Sequence, residues 1–224
     1  MAKRVFVSGG TGYIGRALVQ RLVAAGHDVQ VLARRGSEGK VAPGAEVVLG
    51  DALHMETFAQ HVAASDTYVH LTGVSHPAPW KERAFRAVDL ASLRASAAAA
   101  AAAKFGRFEH FIYVSVAQPA PVMKAYQRVR QECENILAEQ QLIATIFRPW
   151  YVLGPGHGWP ATLIPVYKIL ESIGSTRDAA QRLGLVKHAE MVGALLWAVE
   201  NPAAETRIIE VPMIRDLARL WAKF

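Results

Sequence analysis

An α/β fold, doubly wound about a parallel sheet, is predicted for this 224-residue chain by three observations. Apolar runs of strand length alternate with helical patterns over most of the sequence, and a parallel sheet covered by helices on both faces requires that alternation. The first apolar run leads through a glycine-rich turn straight into a helical pattern. Composition permits a sizeable core, because 52% of residues are hydrophobic and only 20% charged, which excludes a disordered chain.

The elements follow in order. Arg4–Ser8 reads as a strand carrying the run Val5-Phe6-Val7, and 12–25 as a helix. Further strands are expected at 29–33, Glu46–Leu49 and 67–71. A long helix is expected over 81–104, a strand over 110–115, a helix over Lys124–Glu139 and a strand over 143–147. Beyond Arg148 the composition changes: Pro149, Gly154, Pro155, Gly156, Gly158, Pro160 and Pro165 crowd a loop-rich stretch. Helical patterns follow at 161–172 and His188–Glu200, then a strand at Arg207–Glu210. The tail carries Ile214, Leu217, Leu220 and Trp221 at helical spacing, a stripe expected to pack on its own domain. The expected organisation is a dinucleotide-binding domain over 1–150, with 151–224 a short substrate-side segment packed on it.

Several classes are set aside. The net charge of +6 suits an anionic ligand, but no basic run with interleaved aromatics points to nucleic acid. The opening apolar run is too short for a signal peptide core or a membrane span, and Ala97 to Ala103 reads as a helix packed closely on a sheet. Cys133 stands alone, so no internal disulfide framework exists, which fits a reducing, cytoplasmic setting. The histidines show no metal-ligand spacing and no cysteine pair accompanies them, so no metal is expected.

Chemistry begins at the glycine turn. Gly9, Gly12 and Gly15 are spaced three apart between the first strand and helix, with Thr11, Tyr13 and Ile14 between them. The first glycine allows a tight turn, the second lets backbone approach a pyrophosphate, and the third lets helix and strand pack closely. Free N–H groups at the helix start then face the phosphates. This is the signature of a Rossmann-type dinucleotide site. After the second strand stand Arg34 and Arg35, with no carboxylate before Glu38 to hold a ribose 2′-hydroxyl. Guanidinium groups suit a 2′-phosphate through paired, charge-assisted hydrogen bonds, so NADP is expected in preference to NAD.

The sequence resembles the atypical and extended short-chain dehydrogenases, among them the NAD-dependent epimerase/dehydratase and NAD(P)H-binding relatives, over nearly all of residues 3–212. Its opening turn matches that family's TGxxGxxG form with the first residue changed. Gly50-Asp51-Ala52 resembles the pair whose aspartate contacts adenine, and His70-Leu71-Thr72-Gly73 the segment lying along the cofactor. Tyr113-Val114-Ser115-Val116 resembles the strand end bearing the active-site serine or threonine. Arg148-Pro149 with Gly154-Pro155-Gly156 resembles the stretch near the nicotinamide, and Glu190 stands where an aspartate is usual.

The same resemblance implies a catalytic tyrosine and lysine four residues apart on one helix. Here the pair would be Tyr126 and Arg130, so arginine occupies the lysine's place. Positions i and i+4 share a helix face, and a permanent positive charge would favour tyrosinate. A planar fork does not reproduce a flexible point charge, however. The expected roles are Tyr126 as proton carrier, Ser115 as holder of the substrate oxygen and Arg130 as modulator of Tyr126 and of the ribose contact. The leading expectation is an NADPH-dependent oxidoreductase or epimerase-like enzyme acting on a small carbonyl or alcohol. The alternative is a non-catalytic NADPH-binding redox sensor or assembly factor. The resemblance leaves a homodimer through the long helices open.

Overall fold

A computed structural model describes residues 1–154 and 183–221. Seven parallel strands form the main sheet in the order β3-β2-β1-β4-β5-β6-β9. They are β1 (Arg4–Ser8), β2 (Asp28–Ala33), β3 (Glu46–Leu49), β4 (Thr67–His70), β5 (His110–Val114), β6 (Ala144–Arg148) and β9 (Arg207–Glu210). The reversal of direction beside β1 opens a crevice at the strands' carboxyl ends, where sheets of this kind bind ligands.

Strand periodicity creates two cores. Val5, Val7, Val69, Ile112 and Phe147 point to one face, where they meet Leu18, Val19 and Leu22 of helix α1 (Tyr13–Ala24). Their neighbours Phe6, Tyr68, Phe111, Tyr113 and Ile146 point to the other. Both faces are covered, so the central strands read as unbroken apolar runs.

On the second face, a short helix α2 (Ala59–Ala63), absent from the sequence reading, packs against the helical rod expected over 81–104. That rod is composite: an α turn, α3 (Glu82–Ala84), runs into a π-helical segment, Phe85–Leu90, and then into α4 (Ala91–Ala103). The wider π turn brings Phe85, Asp89 and Leu90 all to the buried side. Ala97, Ala99, Ala100 and Ala103 let α4 lie close on the sheet, beside α5 (Lys124–Glu139). Cys133 is buried on α5.

After Arg148 the structure adds a second, two-stranded parallel sheet, β7 (Tyr151–Leu153) with β8 (Leu185–Lys187), which the sequence reading did not include. Helix α6 (His188–Glu200) follows at once, and its Glu190 accepts from the Lys187 N–H at 2.8 Å, capping the helix. Helix α7 (Val211–Trp221) buries Val211, Ile214 and Leu217 in the first core, while Leu220 is exposed. The helix expected at 161–172 lies outside the described residues. No helix among the described residues is long and apolar enough to cross a membrane.

Candidate active site

The glycine turn is shaped by contact distances. Gly9 has φ +74°, and a Cβ there would come within 2.6 Å of the Leu71 carbonyl carbon and 2.8 Å of the Thr72 nitrogen. The turn therefore lies directly against the loop leaving β4. Gly15 is tighter still, since a Cβ would meet the Gly9 oxygen at 2.2 Å. Gly12 donates its N–H to the Gly9 oxygen at 3.0 Å and is exposed, and no side chain caps α1. Exposed backbone, closely packed turn and uncapped helix start together fit the pyrophosphate of a dinucleotide.

Around this turn lies a cavity of about 420 Å³. Gly9, Gly12, Tyr13, Ile14, Gly15, Leu71 and Gly73 form one side, and Ser115, Tyr126, Arg130 and Pro149 another. The cofactor turn and the candidate catalytic groups thus share one enclosure, a size typical of small-molecule sites. Val74, Val114, Val116, Met123, Trp150 and Val152 make much of the remaining lining apolar. Met123, at φ +60°, opens α5, and the preceding loop is pinned by Gln127, which accepts from the Ala120 N–H at 2.8 Å and donates to its carbonyl at 3.0 Å.

Arg130 is buried beneath the cavity. It donates to Asp89 Oδ1 at 2.6 Å, to the Tyr113 hydroxyl at 3.0 Å and to the Val114 carbonyl at 3.0 Å. Its guanidinium lies 4.9 Å from the centre of the Tyr126 ring, and its Nε is buried without a partner. Asp89, fully buried, also accepts from the Val74 N–H at 3.1 Å. Gly73 must be small, because a Cβ would stand 2.8 Å from the guanidinium and 2.9 Å from the carboxylate. Burial pushes the Tyr126 phenol above its ordinary pKa, and the Arg130 charge opposes that only partly. Burial likewise raises the Asp89 carboxyl, against the pull of Arg130.

Ser115 lines the cavity, but its hydroxyl donates to Glu134 Oε1 at 2.6 Å. A hydroxyl has one hydrogen, so in this arrangement Ser115 offers a ligand only its lone pairs. Its expected role as donor to a carbonyl is revised accordingly. Glu134 also receives Gln118 Nε2 at 2.9 Å and both arms of Arg148. Arg148, expected beside the nicotinamide, is instead the ion-pair partner of Glu134 and does not line the cavity.

The remaining expected residues lie apart from the lining. Arg34 and Arg35 follow β2 at the same edge of the sheet, exposed and without ion-pair partners among the described residues. Asp51 accepts from the Leu53 N–H at 3.0 Å, closing its own turn, and Thr11 and Thr72 flank the cavity without lining it. Sequence reasoning missed Asp89 and Glu134. Glu134 had a signal: Tyr126, Arg130 and Glu134 follow one another at i, i+4 and i+8 on a single helix face.

A family model described as NAD(P)H-binding matches residues 9–161. The chain belongs to that family. A denitrifying reductase acting on 3-diazoavenalumate, from a Streptomyces species, is 28% identical over 89% of this chain and 73% of its own length. A 4-hydroxy-2-methyl-3-oxo-4-farnesyl-3,4-dihydroquinoline-1-oxide ketoreductase from Stigmatella aurantiaca is 38% identical over 32% of this chain, a match spanning only 22% of that enzyme. Among solved structures, a short-chain dehydrogenase/reductase superfamily protein from Agrobacterium tumefaciens with bound NAD superposes with a TM-score of 0.66. It is 18% identical, with 92% of this chain and 77% of that one covered. The UDP-N-acetylglucosamine 4-epimerase from Bacillus cereus gives 0.66 at 14% identity, over 92% and 76%. The fold is that seen in short-chain dehydrogenase superfamily structures, and the chain is a member of the NAD(P)H-binding family.

Proposed function

We propose that this protein is an NADPH-dependent reductase of small, largely apolar carbonyl compounds. The observation that carries this reading is the single cavity into which the glycine turn, Tyr126, Ser115 and Arg130 all open. Gly9, Gly12 and Gly15 would hold the pyrophosphate, and Arg34 and Arg35 the 2′-phosphate. Bound NADPH supplies a hydride to the carbonyl carbon. Tyr126 gives its phenolic proton to the carbonyl oxygen, and the phenolate is reprotonated from water. Val74, Val116, Met123 and Trp150 would exclude water and favour an apolar substrate over a charged one. The ketone chemistry named for the Stigmatella relative supports the reaction class.

A second reading, an NADPH-binding sensor without turnover, draws on two observations: Ser115 has its hydrogen on Glu134, and Arg130 is tied to Asp89. Titration of the protein with NADPH and NADH, followed by nicotinamide fluorescence, tests the cofactor assignment. Tighter NADPH binding that Arg34→Glu reverses and Gly12→Val abolishes supports it, whereas binding of neither cofactor overturns both readings. Carbonyl-dependent NADPH oxidation, lost in Tyr126→Phe, separates reductase from sensor.

A further inference from the structure

The ion pair beneath Tyr126 has no counterpart in the sequence pattern that suggested a tyrosine and a basic residue. A cation placed alone beside a phenol favours tyrosinate, the form that takes a proton. Here the cation is not alone. Asp89 Oδ1 receives the guanidinium at 2.6 Å, and both side chains are buried, so bulk water screens neither charge. The carboxylate is itself fixed, held by the Val74 N–H and brought to the buried side by the π-helical segment. The guanidinium is fixed too, by Tyr113 and the Val114 carbonyl, and it faces the ring of Tyr126.

We propose that Asp89 is a positioning residue of the proton-transfer site: by balancing the charge of Arg130 and fixing it under the Tyr126 ring, it sets Tyr126 to give a proton to a bound carbonyl. The proposal rests on the reductase reading for its chemistry, since it concerns the direction in which that site moves its proton. Other groups facing Tyr126 do not change the sign. Phe85, from the π segment, packs its ring 4.8 Å away and is neutral. Cys133, on the same helix as Tyr126, is buried with its thiol pushed up to about 11 and so stays neutral. Tyr113, on β5, is buried and held well above the ordinary phenol range, so it also stays neutral. Among the described residues, the charges acting on the phenol are Arg130 and Asp89, which oppose one another. Burial raises the affinity of Tyr126 for its proton, Arg130 pulls it down and Asp89 offsets part of that pull.

The test is a tyrosinate titration of the free protein by near-ultraviolet difference absorbance, with Tyr126→Phe subtracted to isolate one phenol. It needs no substrate, so it fails or succeeds independently of the reductase reading, which stands or falls on cofactor binding and turnover. Wild type should ionise Tyr126 above an ordinary tyrosine. In Asp89→Asn the unbalanced guanidinium should draw that ionisation down by about 1–3 pH units. Where turnover is found, the alkaline loss of carbonyl reduction should move down by the same amount. Should a lone buried guanidinium prevent folding, the Asp89→Asn, Arg130→Lys double variant keeps an unbalanced cation on a flexible stem, and the same downward shift is expected. A folded variant of either kind whose Tyr126 ionises where wild type does overturns the proposal. An upward shift overturns it as well.

Discussion

Gly12 and Gly15 stand three residues apart in one turn, yet they answer to different constraints. A methyl group on Gly15 would meet the Gly9 oxygen at 2.2 Å and the Gly10 Cα at 2.7 Å, and neither can yield without opening the turn. On Gly12 the nearest atom would be 3.2 Å away. Gly15→Ala should therefore cost about 1–3 kcal/mol in urea unfolding and weaken NADPH binding together. Gly12→Ala should leave the unfolding midpoint near wild type while cofactor affinity falls, because its methyl group intrudes on the ligand and not on the fold. Equal loss of stability in both variants would refute the distinction. At Tyr126 the expected loss is chemical: Tyr126→Phe removes the proton donor and should lower carbonyl reduction by about 10²–10⁴-fold with NADPH affinity unchanged.

Among the elements, the ends of β5, β6 and α5 are joined through one carboxylate. Glu134 accepts from Ser115 and Gln118, on the loop that follows β5, and from Arg148 at the end of β6, and so fixes α5, with Tyr126 on it, against the sheet. Glu134→Gln leaves the Arg148 guanidinium largely buried beside a neutral amide. Removing one partner of such a pair costs about 3–5 kcal/mol, and denaturant unfolding should show it. The order of the main-sheet strands and the long helices was legible in the sequence because each core strand is a short apolar run and each long helix carries an apolar pattern at helical spacing. The π segment was not, since one extra residue per turn leaves the apolar pattern of 81–104 looking continuous. The pairing of β7 with β8 was equally hidden, because it joins half-buried Tyr151–Leu153 to a strand some thirty residues on. Site chemistry divides the same way. The glycines and Tyr126 announce themselves by spacing, whereas Asp89 lies in an ordinary helical stretch and is recognised only once Arg130 is seen against it. Arg148 went to the cofactor by resemblance because nothing in the sequence links it to Glu134.

In the molecule as a whole, the sheet buries two imidazole rings, and that has a consequence for acid stability. His70 on β4 and His110 on β5 are both buried neutral, each brought down to about 3, first by burial and then by the charge of Arg130 for His70 and of Arg207 for His110. His70 shares its Nδ1 with Ser8 and Ser96, and His110 pairs its Nε2 with Thr145 at 2.8 Å, so the hydrogen bonds of both rings go to hydroxyls and not to a carboxylate that would stabilise an imidazolium. In the unfolded chain both titrate near 6.5. Below that pH the unfolded state binds protons that the folded state refuses. Their contribution is therefore complete above about pH 6.5 and is lost progressively as pH falls toward 3, at up to about 1.4 kcal/mol per pH unit for each histidine. Asp66, lowered by its hydrogen bond from Arg107, adds a loss of the same sign at the acid end. The urea midpoint should fall steadily between about pH 6.5 and pH 5, a range in which ordinary carboxylates are still mostly ionised. His110→Gln can keep the bond to Thr145 without a titrating ring, and it should flatten that slope by about half if the two histidines act alike. A slope unchanged in His110→Gln would place the acid sensitivity elsewhere than in the buried rings of the sheet.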